Sequence, residues 1–188
     1  MGITFKETKY TGTKQPFWRG ESKVLPGGFN LTNKLPVGTL IPRGAFVKVD
    51  FNQLEATLVK YAVVVGGGTS SKPRVAKNSF LTKDETIKKS GTAEEVKITD
   101  IDTSEDGYDT LTLSKSIQEL KEGDILFEPS VMPEFVVESN KIVDDMKNIT
   151  ISVSYEAVIL KDVLGDFPSE WKDNHYLKNN HNILFINQ

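Results

Sequence analysis

Five carboxylates crowd one short stretch of the chain: Asp100, Asp102, Glu105, Asp106 and Asp109. Within it, Asp102-x-Ser104-x-Asp106-Gly107 reproduces the first six positions of a calcium loop, where alternate oxygen-bearing side chains and a sixth-position Gly surround a hard cation. The twelfth position, which needs a bidentate Glu, is Leu113, and the chain around it reads as strand rather than helix. An acidic turn between two strands is the simpler reading, with weak calcium binding left open, and no metal ligands are assigned. Gly66-Gly67-Gly68-Thr69-Ser70-Ser71-Lys72-Pro73 has some of the texture of a phosphate cradle. A P-loop requires Gly directly before its Lys and a helix after it, and Ser71 and Pro73 occupy those places, so a hairpin loop is expected. His175 and His181 stand six apart, which matches neither a helical nor a strand pair of metal ligands, and they sit among Asn and Lys. Asp144-Asp145 is an isolated acidic pair. There is no cysteine, so thiol nucleophiles, disulfides and thiolate-held metals are excluded, and no HExxH or GxSxG occurs. The expectation is a protein with no catalytic residues and no cofactor.

What elements would carry such side chains follows from length and pattern. The chain has 188 residues, 38% hydrophobic and 26% charged, with a net charge of −3. That suits one sizeable body plus accessory segments, able to bury roughly two-thirds of its unfolded surface without a metal or disulfide. The longest apolar run, Tyr61–Val65, falls far short of the ~20 residues of a membrane span, and MGITFK lacks the apolar core of a signal peptide. A soluble protein made in the cytosol, with no membrane partner, is expected. Charge is uneven: residues 1–60 are net positive and the remainder net negative, but neither half carries the basic stripe of a nucleic-acid binder.

The pattern predicts a mainly β fold: a small β-barrel or sandwich-like body with short helices and an irregular N-terminal arm. Residues 1–36 form the arm, 37–160 the β body, and 161–188 a tail packed on the body. Val47, Val49 and Phe51 alternate with Lys48 and Asp50, the period-two sign of a half-buried strand. Between Leu54 and Val65 the apolar phase changes, which predicts a bulge or bend. Thr82 and Glu85 have capping-box spacing, with Gly91 placed to end a short helix, and Ser114–Lys121 predicts one or two further helical turns. Val96/Ile98 and Leu111/Leu113 predict a hairpin turning at Asp106-Gly107. The plainest signal runs from Ile149 to Ile159, where six apolar residues alternate with polar ones and predict a strand with one buried face. A turn of helix is expected at Ser169–Asn174, and an apolar patch at Ile183–Ile186.

The run from Leu35 to Phe51 (LPVGTLIPRGAFVKVDF), followed by Glu55–Val65 (EATLVKYAVVV), resembles the head fibre and capsid decoration proteins of tailed phages and prophages of Bacteroides-type bacteria. Tyr10–Trp18, Lys72–Lys77 and Ile98–Leu113 continue the likeness, which covers roughly residues 10–128. These are turn-and-strand patterns and carry no catalytic motif. The resemblance implies a structural virion protein on the outer capsid surface, with the major capsid protein as partner, a homo-oligomer with a trimer favoured, and host surface glycans as a further candidate partner.

Two rivals come from other classes. A carbohydrate-binding or other cell-surface β module without catalysis would need exposed aromatics, for which Trp18 and Trp171 are available. A small β enzyme would need Asp100, Asp102 and Asp106 to converge in a pocket; carboxylates splayed along a solvated hairpin would not serve. Phe17, Trp18 and Arg19 in the arm are the candidate partner-binding residues, since Trp and Arg most often anchor interfaces. Rings on a Gly- and Pro-rich segment can dock on a partner or plug the protein's own body, and the sequence leaves both open.

Overall fold

The computed structural model describes residues 21–145 and 148–187; Phe17, Trp18 and Arg19 lie outside the described residues. The fold is mainly β, as the alternation predicts, with eighteen strands in the described residues. Five come first: β1 (Lys23–Val24), β2 (Phe29–Leu31), β3 (Leu40–Ile41), β4 (Phe46–Asp50) and β5 (Glu55–Leu58). Six follow in one block: β6 (Tyr61–Val65), β7 (Arg74–Val75), β8 (Thr86–Lys89), β9 (Glu95–Asp102), β10 (Asp109–Leu113) and β11 (Ile125–Phe127). The remainder are β12 (Phe135–Val137), β13 (Lys141–Ile142), β14 (Thr150–Ile151), β15 (Val153–Leu160), β16 (Lys172–Asp173), β17 (Tyr176–Leu177) and β18 (Asn180–Ile186). One four-residue helix, α1 (Lys161–Leu164), and a 3-10 turn, Ser169–Trp171, precede β16.

The pairings divide the expected 37–160 body into two units. The middle block, β6 to β11, closes on itself in the order β10-β7-β6-β11-β8-β9, a six-stranded ring. Strands before and after it form a sheet in the order β14-β2-β5-β4-β12-β15-β18-β17-β16, with β1 added against β15 and β3 and β13 paired separately. The ring is therefore inserted into the sheet unit between β5 and β12. The tail belongs to the sheet itself, since β18 pairs in parallel with β15 from Ala157↔Ile183 to Leu160↔Ile186. Of the arm, residues 21–36 contribute β1 and β2, and Phe29 is buried beneath the sheet.

Alternation explains the packing. Inside the ring, Val64, Val75, Ile87, Val96, Ile98, Leu111 and Leu126 form one core, each drawn from a period-two face. The sheet is buried on both sides. Val47, Val49, Ala56, Leu58, Val137 and Val153 pack on one face. Phe46 and Val136, on the opposite faces of β4 and β12, pack into a second cluster with Ile159, Phe167, Trp171 and Phe185. Two-sided burial is why Phe46 and Val47 are both enclosed although they are neighbours in one strand. The predicted Ile149–Ile159 strand is present but interrupted at Ser152, giving β14 and β15, and Ile151, Val153, Ala157 and Ile159 are buried as expected. Ser154, on the polar phase opposite buried Val136, is also enclosed, and its hydroxyl is satisfied by donating to Glu138.

Two predicted helices are absent. Thr82 and Glu85 make half of a capping box, the Thr82 N–H donating to the Glu85 carboxylate at 2.8 Å, while the Thr82 hydroxyl donates to the same carboxylate at 2.6 Å instead of accepting from the Glu85 N–H. Asp84, however, has φ +72°, a left-handed conformation from which no helix continues, and Ile87 then turns into the ring on β8. In Ser114–Lys121, the Ile117 N–H donates to the Ser70 carbonyl at 3.0 Å instead of to its own segment, and Glu119 has φ +51°. Tertiary contact wins over local propensity at both places. No helix among the described residues is long and apolar enough to cross a membrane.

Candidate functional site: a cleft between the two units

The two units meet around Val59-Lys60, where β5 passes into β6 and the apolar phase changes. Lys60 ion-pairs with Glu85, both side chains largely enclosed. Beside this junction lies a cleft of about 340 Å³. Its walls come from the Leu40–Phe46 segment of the sheet unit, from Tyr61–Val63 on β6, from the Ala76–Phe80 segment after β7, and from Val163–Asp166 at the end of α1. Leu40, Val63, Phe80, Val163 and Leu164 line it with half-buried side chains. An apolar wall with few polar groups is the usual make-up of a binding cleft.

The polar groups are well defined. Tyr61 stacks edge-on to Phe46 and Trp171, with ring centroids 6.1 and 5.4 Å apart. Burial, with the Asp166 carboxylate adding to it, pushes the Tyr61 phenol up to about 12. Arg43 lies 3.6 Å from Glu138; burial holds its guanidinium below its ordinary value, while the Glu138 charge opposes that. Lys77 is committed to Asp109, at 2.7 Å, and to the Thr103 carbonyl, at 3.0 Å.

The Ala76–Phe80 wall is strained. Asn78 has φ +64° and Phe80 φ +59°, the latter an outlier for a bulky side chain. The cause is visible in the packing: the left-handed steps aim Phe80 out of the ring and against the core of the sheet unit. A second tie runs from the tail to the ring. Glu170, in the 3-10 turn, accepts from the Ser90 hydroxyl at 2.6 Å and the Gly91 N–H at 2.9 Å. Burial alone would raise its carboxyl, but these hydrogen bonds outweigh it and hold the group below its ordinary 4.5.

The residues singled out from sequence do not come together here. Asp100, Asp102 and Asp106 are exposed along the β9–β10 hairpin, where Asp102 accepts from the Ser104 N–H at 3.0 Å. Asp109 turns the other way, into its pair with Lys77. The acidic site a small β enzyme would have needed is thus not assembled from these groups, and no three metal-ligating side chains cluster among the described residues. His181 lies 3.3 Å from Asp173 and leans on Tyr176. Trp171 is fully buried among Phe46, Tyr61 and Phe127, so it cannot offer a face to a sugar. Gly66–Gly68 is an exposed loop between β6 and β7. Arg43 and Tyr61 lie in the Leu35–Phe51 and Glu55–Val65 runs without being singled out there, and Phe80 lies in no quoted motif. The phase change at Val59-Lys60 is the one sequence signal that pointed to this place.

Compared with known proteins, the chain matches no family model, no curated protein and no solved structure. A phenol, a guanidinium, an ammonium and a carboxylate around an apolar wall are groups that bind and orient.

Proposed function

We propose that this chain is a structural protein of phage particles, a head fibre or capsid decoration protein held on the outer capsid surface and free of catalytic activity. Its partner in this reading is the major capsid protein, and its assembled form a homotrimer. The observation that carries it is the sequence likeness over Leu35–Phe51 and Glu55–Val65. That stretch corresponds to β3, β4, β5 and β6, the path by which the sheet unit enters the ring, so the likeness concerns the framework of the body. An exposed apolar turn adds support. Phe51 and Leu54 are each 55% exposed, and Phe51 stands edge-on to Phe29 and Phe135 at 6.1 and 6.0 Å. Aromatic rings held rigidly at a surface are suited to anchoring an interface.

The test is to induce phage from a bacterium carrying the gene, purify the particles, and label them with gold-conjugated antibody against the chain. Label on the outside of intact heads, with the chain present in the particle proteome near a multiple of three per capsomer, is the expected result. A chain expressed in the cell but missing from purified particles overturns the reading.

A further inference from the structure

Leu40, Val63, Phe80, Val163 and Leu164 give the cleft half-buried apolar walls, and its charged groups are already met. Arg43 lies 3.6 Å from Glu138, Lys77 is 2.7 Å from Asp109, and the exposed Asp166 is 3.8 Å from Lys161. Three cations thus face three anions. Lys172 sits over the Phe167 ring, 4.9 Å from its centroid, and is not a lining residue. Tyr61 differs from all of these. It lines the cleft, and its hydroxyl makes no hydrogen bond among the described residues. The carboxylate of Asp166, another lining residue, acts on the same phenol. We propose that the cleft binds one uncharged aromatic molecule, the size of two fused rings, whose polar group takes up the Tyr61 hydroxyl.

Charge, size and wall chemistry each narrow the class. An ionic ligand would leave water for a cleft in which every lining charge already has an opposite one. It would have to break one of those pairs, and an unpaired ion costs far more to bury than a neutral ring. The cleft, about 340 Å³, is at the small end of the ~300–1,000 Å³ that encloses drug-sized molecules, which suits one flat bicyclic compound. A sugar would need many hydrogen bonds. Apart from the charged pairs, only Tyr61, Asn78 and Ser79 offer polar side chains, and the Ser79 hydroxyl already accepts from the Leu81 N–H at 3.4 Å. Three rings, those of Phe46, Tyr61 and Phe80, line the cleft, and aromatic faces and edges pack best against another ring. The left-handed steps at Asn78 and Phe80 that set one of them are the kind of strain that collects at ligand clamps. Finally, a phenol largely shut off from water ordinarily finds a hydrogen-bond partner, and here a ligand hydroxyl or carbonyl oxygen can be one. The proposal stands apart from the virion reading, since neither a capsid nor a second copy takes part in it.

Naphthol, naphthoate and naphthylmethylammonium share one ring system and differ in charge, so calorimetric titration of the full chain with each at neutral pH tests the proposal. Naphthol is expected to bind once per chain, and roughly ten-fold or more tightly than either ion. Tyr61→Phe, which keeps the ring and removes the hydroxyl, is expected to weaken naphthol several-fold. Val163→Lys, which puts an ammonium into the apolar wall, is expected to abolish naphthol binding while the circular dichroism stays that of the parent. Tyr61→Phe decides the matter should Val163→Lys fail to fold. No binding of naphthol up to its solubility, an ion bound as tightly as naphthol, or Tyr61→Phe binding as the parent does, overturns the proposal. So does naphthol held unchanged by folded Val163→Lys, because the site would then lie elsewhere.

Discussion

Val153 shows what one residue's environment decides. It is fully enclosed on β15, between β12 and the core beneath the sheet. Val153→Asp would bury a carboxylate with no partner, at a cost of about 4 kcal/mol or more. Thermal denaturation is expected to show a fall of ~10 °C or more, given ~2–4 °C per kcal/mol at this size. Val24, on neighbouring β1 and 41% exposed, is the control: Val24→Asp is expected to leave the melting temperature nearly unchanged. Tyr61 offers a second reading at this scale. Its phenol is pushed up to about 12, so in the ultraviolet absorbance titration one of the five tyrosines should ionise about two units late. Tyr61→Phe should remove that late step. The raised group favours the neutral form in the folded protein. Its stabilisation is therefore complete below pH ~10 and is lost as pH rises through the interval from ~10 to about 12.

Among elements, the β6–β7 loop is tested by its glycines. A Cβ on Gly68 would stand 2.5 Å from the Arg74 nitrogen and 3.0 Å from the Lys72 carbonyl oxygen, both backbone atoms that cannot move aside alone. Gly107, in the β9–β10 turn, has open space around it. Gly68→Ala is expected to destabilise by ~1–3 kcal/mol in urea unfolding, and Gly107→Ala by less than ~0.5 kcal/mol. The same loop shows how far the sequence could be read. Its triple Gly marks the expected hairpin loop, but which glycine the Arg74 backbone approaches is set by the β6–β7 register, Val65↔Arg74. Legibility followed period two. The β9–β10 hairpin, the β4 alternation and the Ile149–Ile159 run were readable because burial imposes that period. The two predicted helices failed because their backbones bond elsewhere, Ile117 to Ser70 and Asp84 in a left-handed turn. At the cleft only the phase change at Val59-Lys60 was visible beforehand. Tyr61, Arg43 and Phe80 meet there through pairings between distant strands, to which periodicity within one segment is blind.

At the scale of the molecule, two β units are held together by Lys60 with Glu85, by Phe80, by Phe127 against Trp171, and by Glu170. Glu170 is the titratable member of the last tie. Held below its ordinary 4.5, it stabilises the folded protein at pH values above that, and the contribution is lost as pH falls through its folded value. Glu170→Gln is expected to lower the melting temperature by ~2–4 °C at neutral pH, taking ~1 kcal/mol for the charge-assisted bonds. The difference from the parent should shrink toward zero on acidification below 4.5, as scanning calorimetry across pH would show.

The interrupted order of the sheet also sets a timetable for synthesis. Every strand of the ring lies between residues 61 and 127, whereas the sheet awaits β18, which ends at Ile186. At ~5–20 residues per second, about 3–12 s separate the emergence of those two points from a ribosome. The ring can close in that interval, while the growing edge of the sheet, β12 and then β15, waits with the side that its next partner will cover still bare. A half-made chain is therefore a folded ring beside an open strand edge, the form in which such proteins most readily join edge to edge with one another. Slowing translation downstream of residue 127 would lengthen that exposure and should increase aggregation without altering the finished protein.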